Sequence, residues 1–324
     1  MVRKNPKRAV RRQRGAALLV AIAAVGLIAA ISIELIEGVQ DEIRLVEAYR
    51  DGFRAKWAVQ APVAVVIAIL QEDENKYAGV TEAWATLKDT MDVGGVPVVF
   101  RVRDESSKIN PNALALGDAK IRDRTANLLK KVFQAKNLND TLVDYLWDWM
   151  DSDSNSRTSG SEEAFYETLP FPYPMKNRSL DTLSEIHLVR GFTDKTLKEL
   201  GFQDRAGSPD LNLSGWLTVF SENKINLNTA DPLILQNLTP GIPDVFISEL
   251  VAQREAGPFG DVSDSKTLTG MNDTLFNQMS PLVTVDSKYF SVYSEAVVGR
   301  IRKRLTVVLK KDNEHVSIVY WRLS

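Results

Sequence analysis

The pattern of apolar positions in the first seventy residues predicts one long helix. Eighteen residues from Ala16 to Ile33 carry no charge, and Ser32 is the only polar side chain among them. At ~1.5 Å per residue this run reaches about 27 Å, close to the ~30 Å of a bilayer core. Beyond it the apolar residues recur near helical spacing as far as Val65. We predict a membrane-spanning and assembly helix over 16–72, kinked or loosened at Pro62.

Alternating apolar residues predict one strand early in the chain and three at its end. The early strand covers 96–103, and the late strands cover 289–299, 300–311 and 316–323, with a turn at 311–314. We predict an α+β fold, in which the long helix packs on a small antiparallel sheet. A large all-α domain is inserted between the strands. Two unrelated domains, each with its own strands, are the alternative.

The predicted insertion contains an internal repeat. Lys108-Ile-Asn-Pro-Asn112 recurs as Lys224-Ile-Asn-Leu-Asn228, and each copy leads into helical segments. The pattern therefore divides the chain into a leader (1–15), the long helix (16–72), the first part of a head (73–104), the helical insertion of two related units (105–285) and the strands that complete the sheet (286–324).

The leader carries seven basic residues and no acid, which predicts a cytoplasmic N-terminus with the bulk of the chain across the membrane. The small residues Gly15 and Ala16 lie before the apolar run, unlike in a secretory signal. This arrangement resembles a type IV prepilin leader. The resemblance implies cleavage between Gly15 and Ala16, N-methylation of Ala16 and retention of the helix; a plain signal-anchor is the alternative. Most such subunits have Glu where this chain has Val20. The absence of that carboxylate suits a subunit at the filament tip, and it suits a simple membrane anchor equally well.

Charge and composition exclude several kinds of function. Without the leader, 33 basic residues remain against 42 acidic ones, a net charge near −9 that argues against nonspecific DNA binding. There is no cysteine, which excludes thiol catalysis and Cys-ligated metals. The two histidines, His187 and His315, lie in undistinguished settings, so we predict no enzyme activity.

An acidic loop begins at Asp151 and has the spacing of a calcium-binding loop. Oxygen donors fall at loop positions 1, 3, 5 and 12, which are Asp151, Asp153, Asn155 and Glu162. Ser156 replaces the glycine that such loops have at position 6. Two further donors flank the loop, namely Asp148 and Glu163. The spacing leaves two interpretations open, a Ca²⁺ site and a solvated acidic loop, and the family resemblance described below leads us to predict the Ca²⁺ site.

The segment 225–259 resembles a helix-hairpin-helix module of DNA-uptake proteins. In such modules the turn and the following helix N-terminus offer backbone N–H groups to a phosphate. Here the turn contains Pro243, which lacks a donor, and Asp244, which repels phosphate. We therefore expect the architecture without nucleic-acid binding.

Together these features resemble the K-type minor pseudopilin family of type II secretion systems. The specific stretches are Asp104 to Asn112, the Asp-rich run Leu142 to Asp153, Gly160 to Tyr166 and Asn177 to Ile186. The resemblance implies a single-pass protein of the bacterial inner membrane with its C-terminal bulk in the periplasm. It also implies calcium in the inserted domain and a place at the pseudopilus tip, where the protein initiates and caps a filament for export of folded proteins.

The same resemblance implies a set of partners. These are the I- and J-type minor pseudopilins, the major pseudopilin, the inner-membrane assembly platform and the prepilin peptidase. A membrane-anchored, DNA-binding competence-type protein is the main alternative, and a periplasmic enzyme on a signal-anchor is another.

Overall fold

A long helical stem leads into the head. The computed structural model describes the backbone of residues 6–200, 203–204, 209–210, 215–313 and 315–324, with side chains from residue 17 except 201–214 and 314. The stem consists of α1 (Pro6–Ala58) and α2 (Ala61–Glu72). The break falls immediately before Pro62, whose ring would clash with the carbonyl of Ala58 in a continuous helix. Ser294 Oγ donates to the carbonyl of Val59 at 2.5 Å, which satisfies one group at the break.

The stem packs on a five-stranded antiparallel sheet, so the predicted α+β class is confirmed. The strands are β1 (Thr90–Val93), β2 (Val96–Asp104), β7 (Tyr289–Val298), β8 (Ile301–Asp312) and β9 (His315–Leu323). Their order along the sheet is β1-β2-β7-β8-β9. Chain neighbours form the hairpins β1–β2, β7–β8 and β8–β9, while β2 pairs with the distant β7.

Strand β1 lies outside the predicted set. Its hairpin turn is Gly94-Gly95, and both glycines have positive φ (59° and 78°). A two-residue turn with this backbone matches the twist of the strands that flank it. The Gly-Gly pair before a valine-rich strand was therefore a hairpin signal in the sequence.

The chain between β2 and β7 forms the inserted part of the head. Its α-helices are α3 (Ala119–Ala135), α4 (Thr141–Met150), α5 (Glu163–Glu167), α6 (Asp194–Glu199), α7 (Pro232–Gln236), α8 (Asp244–Ala256) and α9 (Asp273–Met279). Short 3-10 helices lie at Glu105–Ser107, Pro111–Ala115, Leu183–Leu188, Val262–Thr267 and Ser280–Leu282. Two short strand pairs accompany them: β3 (Gln203–Asp204) with β4 (Pro209–Asp210), and β5 (Ile225–Asn226) with β6 (Val283–Thr284).

The two copies of the Lys-Ile-Asn repeat make equivalent contacts. Asn112 accepts from the backbone N–H of Leu180 and donates to its carbonyl, at 2.7 and 2.9 Å. Asn228 does the same with the backbone of Phe259, at 2.8 and 3.0 Å. In both units the bonded backbone is followed by a 3-10 helix with a capping box, then by a glycine with positive φ, and then by a capped α-helix. These are Leu183–Leu188, Gly191 and α6 in the first unit, and Val262–Thr267, Gly270 and α9 in the second.

The head has two separate apolar cores. One lies between the stem and the sheet and includes Val66, Leu70 and the edge-to-face pair Trp84–Phe290. The other fills the inserted part. A buried polar cluster lies where β2 enters the insertion: Asp104 accepts hydrogen bonds from the backbone N–H of Ser106 and from the side chains of Asn226 and Thr229.

Candidate metal centre

The acidic loop connects α4 to α5, and aromatic packing holds both of its ends. Trp149, near the end of α4, packs against Tyr166 of α5 with 5.1 Å between ring centroids. Both side chains are almost completely buried. The loop 151–162 therefore has fixed anchors, although it contains no regular helix or strand.

Three of the six predicted ligands converge in this loop. Asp151, Asp153 and Glu162 each place one carboxylate oxygen so that the three oxygens lie within 4.8 Å of one another. Asp153 is exposed, and the other two residues are partly buried. Three carboxylates at this separation repel one another in the absence of a cation.

Two oxygens of this cluster lack a protein partner. Asp151 Oδ1 and Glu162 Oε1 are buried and accept no hydrogen bond from any described residue. Burial, followed by repulsion from Asp148, Asp151 and Asp153, raises the pKa of Glu162 to about 7. Hard oxygen atoms that are buried, unpaired and crowded together fit the ligand preference of Ca²⁺.

Asp148 is adjacent to the cluster, but its oxygens are already occupied. It is fully buried, and Oδ2 accepts from the backbone N–H groups of Arg157 (3.2 Å) and Ser161 (2.9 Å). Oδ1 accepts from Arg157 Nη1 at 2.5 Å. In this arrangement Asp148 holds the loop backbone in place, which makes it a positioning residue for the three converging carboxylates.

Because Gly160 has no side chain, the carboxylate of Asp148 can lie this close to the loop backbone. A Cβ built at this position would lie 1.7 Å from Asp148 Oδ2. Any side chain here would displace either the carboxylate or the loop.

Arg157 is the residue of this site that the sequence reasoning missed. Its guanidinium lies 3.9 Å from the ring centroid of Trp147 and forms ion pairs with Asp148 and Asp151, both at 2.5 Å. It neutralises part of the acidic charge but leaves Asp151 Oδ1 and Glu162 Oε1 unpaired. The sequence did contain a signal for this role, because Arg157 is the one basic residue between Asp151 and Glu162.

Of the other two candidate ligands, Glu163 is bonded to the backbone elsewhere and Asn155 contacts the cluster through its backbone. Glu163 Oε2 accepts from the backbone N–H of Met175 at 3.2 Å. Asn155 is exposed, and its backbone N–H donates to Asp153 Oδ1 at 2.8 Å.

The helix-hairpin-helix-like segment keeps its turn. Gly241 has φ of 85°, and Pro243 occupies the N-cap of α8 without a side-chain hydrogen bond. Asp244 is exposed in the first turn of α8. At the other end of α8, the buried Arg254 donates to the carbonyls of Leu227 and Ala230 at 3.1 and 2.7 Å, so this cation serves packing within the unit.

The stem is the described part of the chain that has the length and composition to cross a membrane. Its apolar window is entirely exposed within the chain. Further along α1, Tyr49, Phe53 and Trp57 form an exposed aromatic stripe at four-residue intervals. Gly15 and Ala16 fall within the backbone of α1, and the side chains there lie outside the described residues.

Comparison with known families gives two matches that follow one another along the chain. Both families are described as type II secretion system (T2SS), protein K, and they match residues 107–201 and 225–286. Together the matches cover most of the inserted part of the head.

Curated relatives extend the similarity to the whole chain. Type II secretion system protein K of Aeromonas hydrophila is 24% identical over 334 residues, which cover 97% of this chain and 98% of the relative. A protein of the same description from Pectobacterium carotovorum subsp. carotovorum is 27% identical over 58% of this chain and 61% of its own length. A putative protein K of Escherichia coli K12 is 25% identical over 73% and 75%.

A solved structure shares the fold. It is the crystal structure of the GspK–GspI–GspJ complex from the enterotoxigenic Escherichia coli type 2 secretion system, with a TM-score of 0.69 at 18% identity. The match covers 87% of this chain and 99% of the matched chain. These matches do not support the competence-type alternative.

Proposed function

The chain belongs to the type II secretion system protein K family, and we propose that it acts at the tip of the pseudopilus as a minor pseudopilin. There it initiates and caps the filament used to export folded proteins from the periplasm. Its role is structural.

One observation carries the tip position: a rod-like stem ends in a head that contains a large insertion with its own core. Beyond the proposed cleavage site, residues 16–58 of helix α1 form about 65 Å of rod at ~1.5 Å per residue. The inserted part occupies the chain between adjacent strands β2 and β7 and has its own core. A head of this size obstructs the regular stacking of copies along a thin filament, so one copy at the end is the natural stoichiometry.

The exposed stem also supports the proposal that other pseudopilins, which have stems of the same kind, are the partners of this chain. Its apolar surface is left uncovered within the chain, and packing against neighbouring stems would exchange lipid or water contacts for helix–helix contacts. The solved complex contains GspK with GspI and GspJ. We therefore propose I- and J-type minor pseudopilins as direct partners, with the major pseudopilin and the inner-membrane assembly platform in the same pathway.

The basic leader and the apolar run support an inner-membrane position with the head in the periplasm. Processing by prepilin peptidase between Gly15 and Ala16, with N-methylation of Ala16, belongs to the same proposal. Mass spectrometry of the protein from a secreting strain should find a methylated N-terminal Ala16. An intact Met1 contradicts the processing step.

The export role is tested by deletion and complementation. A strain without the protein should retain its folded cargo in the periplasm, and the full chain should restore export. A chain that lacks only the exposed stem residues 17–50, and so keeps the buried part of the stem, should not restore export when it is directed to the periplasm. Normal export in the deletion strain contradicts the proposal.

We further propose that Asp151, Asp153 and Glu162 hold a calcium ion in the loop. The two buried, unpartnered oxygens and the crowding of three carboxylates support it. Bound calcium would supply the positive charge that relieves this repulsion and would fix the path of the chain between α4 and α5.

Thermal unfolding of the full chain tests the calcium site. At a hundredfold excess of calcium over Kd, binding adds about 2.7 kcal/mol to the free energy of unfolding relative to a chelator. Glu162→Gln should abolish this gain, and Glu163→Gln should keep it, because Glu163 is bonded to the backbone of Met175. A wild-type protein that melts at the same temperature in calcium and in chelator contradicts the site.

A further inference from the structure

A groove of about 420 Å³ lies between the two helical units. One wall is a face of α3, and the other is formed by the end of α7, the turn at residues 237–240, and the region around Gln278 and Leu282. Its lining does not include any of the three converging carboxylates.

The α3 wall is basic in a chain that is acidic as a whole. Helix α3 carries five basic residues and one acid, Asp123. Of the basic residues in the groove, Lys130 pairs with Asp144 at 2.8 Å, whereas Arg124 and Lys131 form no ion pair with the described residues. The one acid that lines the groove, in the described part of the chain, is Asp140, and Gln134 Nε2 donates to it at 3.0 Å. The groove therefore has positive charge available for an anionic ligand.

Carboxamides line both walls. They belong to Asn127 and Gln134 on α3 and to Asn237 and Gln278 on the opposite side. Gln278 uses its oxygen to accept from Thr239 at 3.2 Å, and Asn237 uses its amide nitrogen on the carbonyl of Leu233. Each carboxamide has both donor and acceptor atoms, the combination that pairs with the N–H and C=O groups of an extended peptide backbone.

A small notch adjoins the groove, and its walls combine aliphatic side chains with the polar residues Asn110, Thr125 and Asn223. Leu128, Leu238 and Leu282 line both the groove and an adjoining cavity of about 40 Å³, whose far side includes Ile109 and Ile225. Arg124 also lines both. A ligand with a carboxylate at Arg124 thus has its neighbouring group over a small, partly aliphatic pocket.

We propose that this groove binds an extended acidic segment of a partner protein. One side-chain carboxylate pairs with Arg124 and Lys131, the adjacent aliphatic side chain enters the notch, and the carboxamides bond to the peptide backbone. Charge complementarity favours this occupant, and the aliphatic side chains of the notch favour a polypeptide over a nucleic acid.

Fluorescence anisotropy with the full chain in lipid nanodiscs tests the groove. The probe is a labelled peptide of about ten residues in which Glu and Val alternate, since an extended chain of that length spans about 33 Å. We expect saturable binding that weakens with salt and that falls by about tenfold or more in the double variant Arg124→Glu, Lys131→Glu.

Matched controls separate this site from general charge effects. Lys120→Glu makes a charge reversal on the same helix at an exposed residue that lines neither cavity, and it should change the Kd by less than about twofold. The same peptide with Gln in place of Glu should bind at least about tenfold more weakly than the acidic peptide. Absence of saturable binding, an equal loss in Lys120→Glu, equal binding of the Gln peptide, or displacement of the peptide by duplex DNA overturns the proposal. The double variant should still assemble with minor pseudopilins, because the groove lies away from the stem.

Discussion

Gly160 lies so close to Asp148 that the acidic loop depends on the absence of a side chain there. We predict that Gly160→Ala destabilises the protein by about 1–3 kcal/mol, because a Cβ would lie 1.7 Å from Asp148 Oδ2. Chemical unfolding measures the loss. The matched control is Gly117→Ala, where a Cβ would meet no atom within 4 Å.

The comparison of the two alanine variants also tests the loop geometry itself. Calcium should stabilise Gly160→Ala less than it stabilises the wild type, since a displaced Asp148 no longer holds the backbone that carries Glu162. Equal stability of Gly160→Ala and Gly117→Ala contradicts the described contact between residues 148 and 160.

Asp104 is a buried carboxyl group at the entrance to the insertion. Burial raises its pKa from 3.8 to about 6, against the opposing effect of hydrogen bonds from Ser287, Thr229, Asn226 and Ser106. The folded protein therefore holds this proton more tightly than the unfolded chain does. The resulting stabilisation is fully present below pH 3.8 and is lost as the pH rises to about 6.

We predict that Asp104→Asn changes the pH dependence of stability. Relative to the wild type, the variant should gain about 2 kcal/mol between pH 4 and pH 7, because its side chain does not ionise. Urea unfolding of both proteins across this range gives the difference. Asp261→Asn is the control, and its stability relative to the wild type should change with pH in the opposite direction. The reason is that hydrogen bonds from Ser263 lower the pKa of the exposed Asp261. A pH-independent difference between wild type and Asp104→Asn contradicts a raised pKa at this site.

The sequence predicted the composition of the acidic site better than its geometry. The spacing of Asp151, Asp153 and Glu162 was sufficient to bring them together as candidates, because ligand spacing in a short loop is a local property. The positions of Asp148 and Arg157 depend on how α4 packs against the loop. Tertiary packing of this kind leaves no periodic pattern in one sequence.

Among the elements, the strands and the stem could be predicted because their patterns are long. Strand β8 has 12 residues and strand β7 has 10, so alternation is readable. The helices of the insertion are short, several with five to seven residues, and five 3-10 helices interrupt them. Their arrangement depends on long-range contacts such as those of Asn112 with Leu180 and of Asn228 with Phe259, which are visible only in the structure.

The exposed aromatic stripe of α1 provides a prediction about assembly. Phe53 and Trp57 lie edge to face with 6.0 Å between centroids and are 64% and 57% exposed. Replacing both by alanine should change the free energy of unfolding of the chain by less than about 0.5 kcal/mol. The same change should weaken binding to I- and J-type minor pseudopilins by about tenfold or more. Burial of each ring at the interface would stabilise the complex by about 1.5–3 kcal/mol. Size-exclusion chromatography of the mixed proteins measures it.

A buried residue of the same stem is the control. Val63 is 3% exposed and belongs to the core between the stem and the sheet. Val63→Ala should cost about 2 kcal/mol of stability. If the aromatic double variant unfolds as readily as Val63→Ala, the stripe is structural and the assembly prediction fails.

On the scale of the whole molecule, one sheet is built from strands that lie far apart in the sequence, with the inserted part between them. Strands β2 and β7 are hydrogen-bonded neighbours although 184 residues separate the end of β2 from the start of β7. Physical patterns alone left an alternative open, namely two domains with separate sheets, because periodicity does not determine which strands pair. The order of the strands and the family resemblance both favoured one sheet split by an insertion, and the pairing of β2 with β7 confirms that the early and late strands share one sheet.

The most direct measurement of the central claim is the copy number of this chain in its assembly. The processed full chain would be reconstituted in nanodiscs with I- and J-type minor pseudopilins and the mass of the complex determined by native mass spectrometry. The proposed tip position predicts one copy of this chain in each complex, with its broad head preventing the addition of a second. Complexes that contain several stacked copies of this chain, or none that include the smaller pseudopilins, would contradict it.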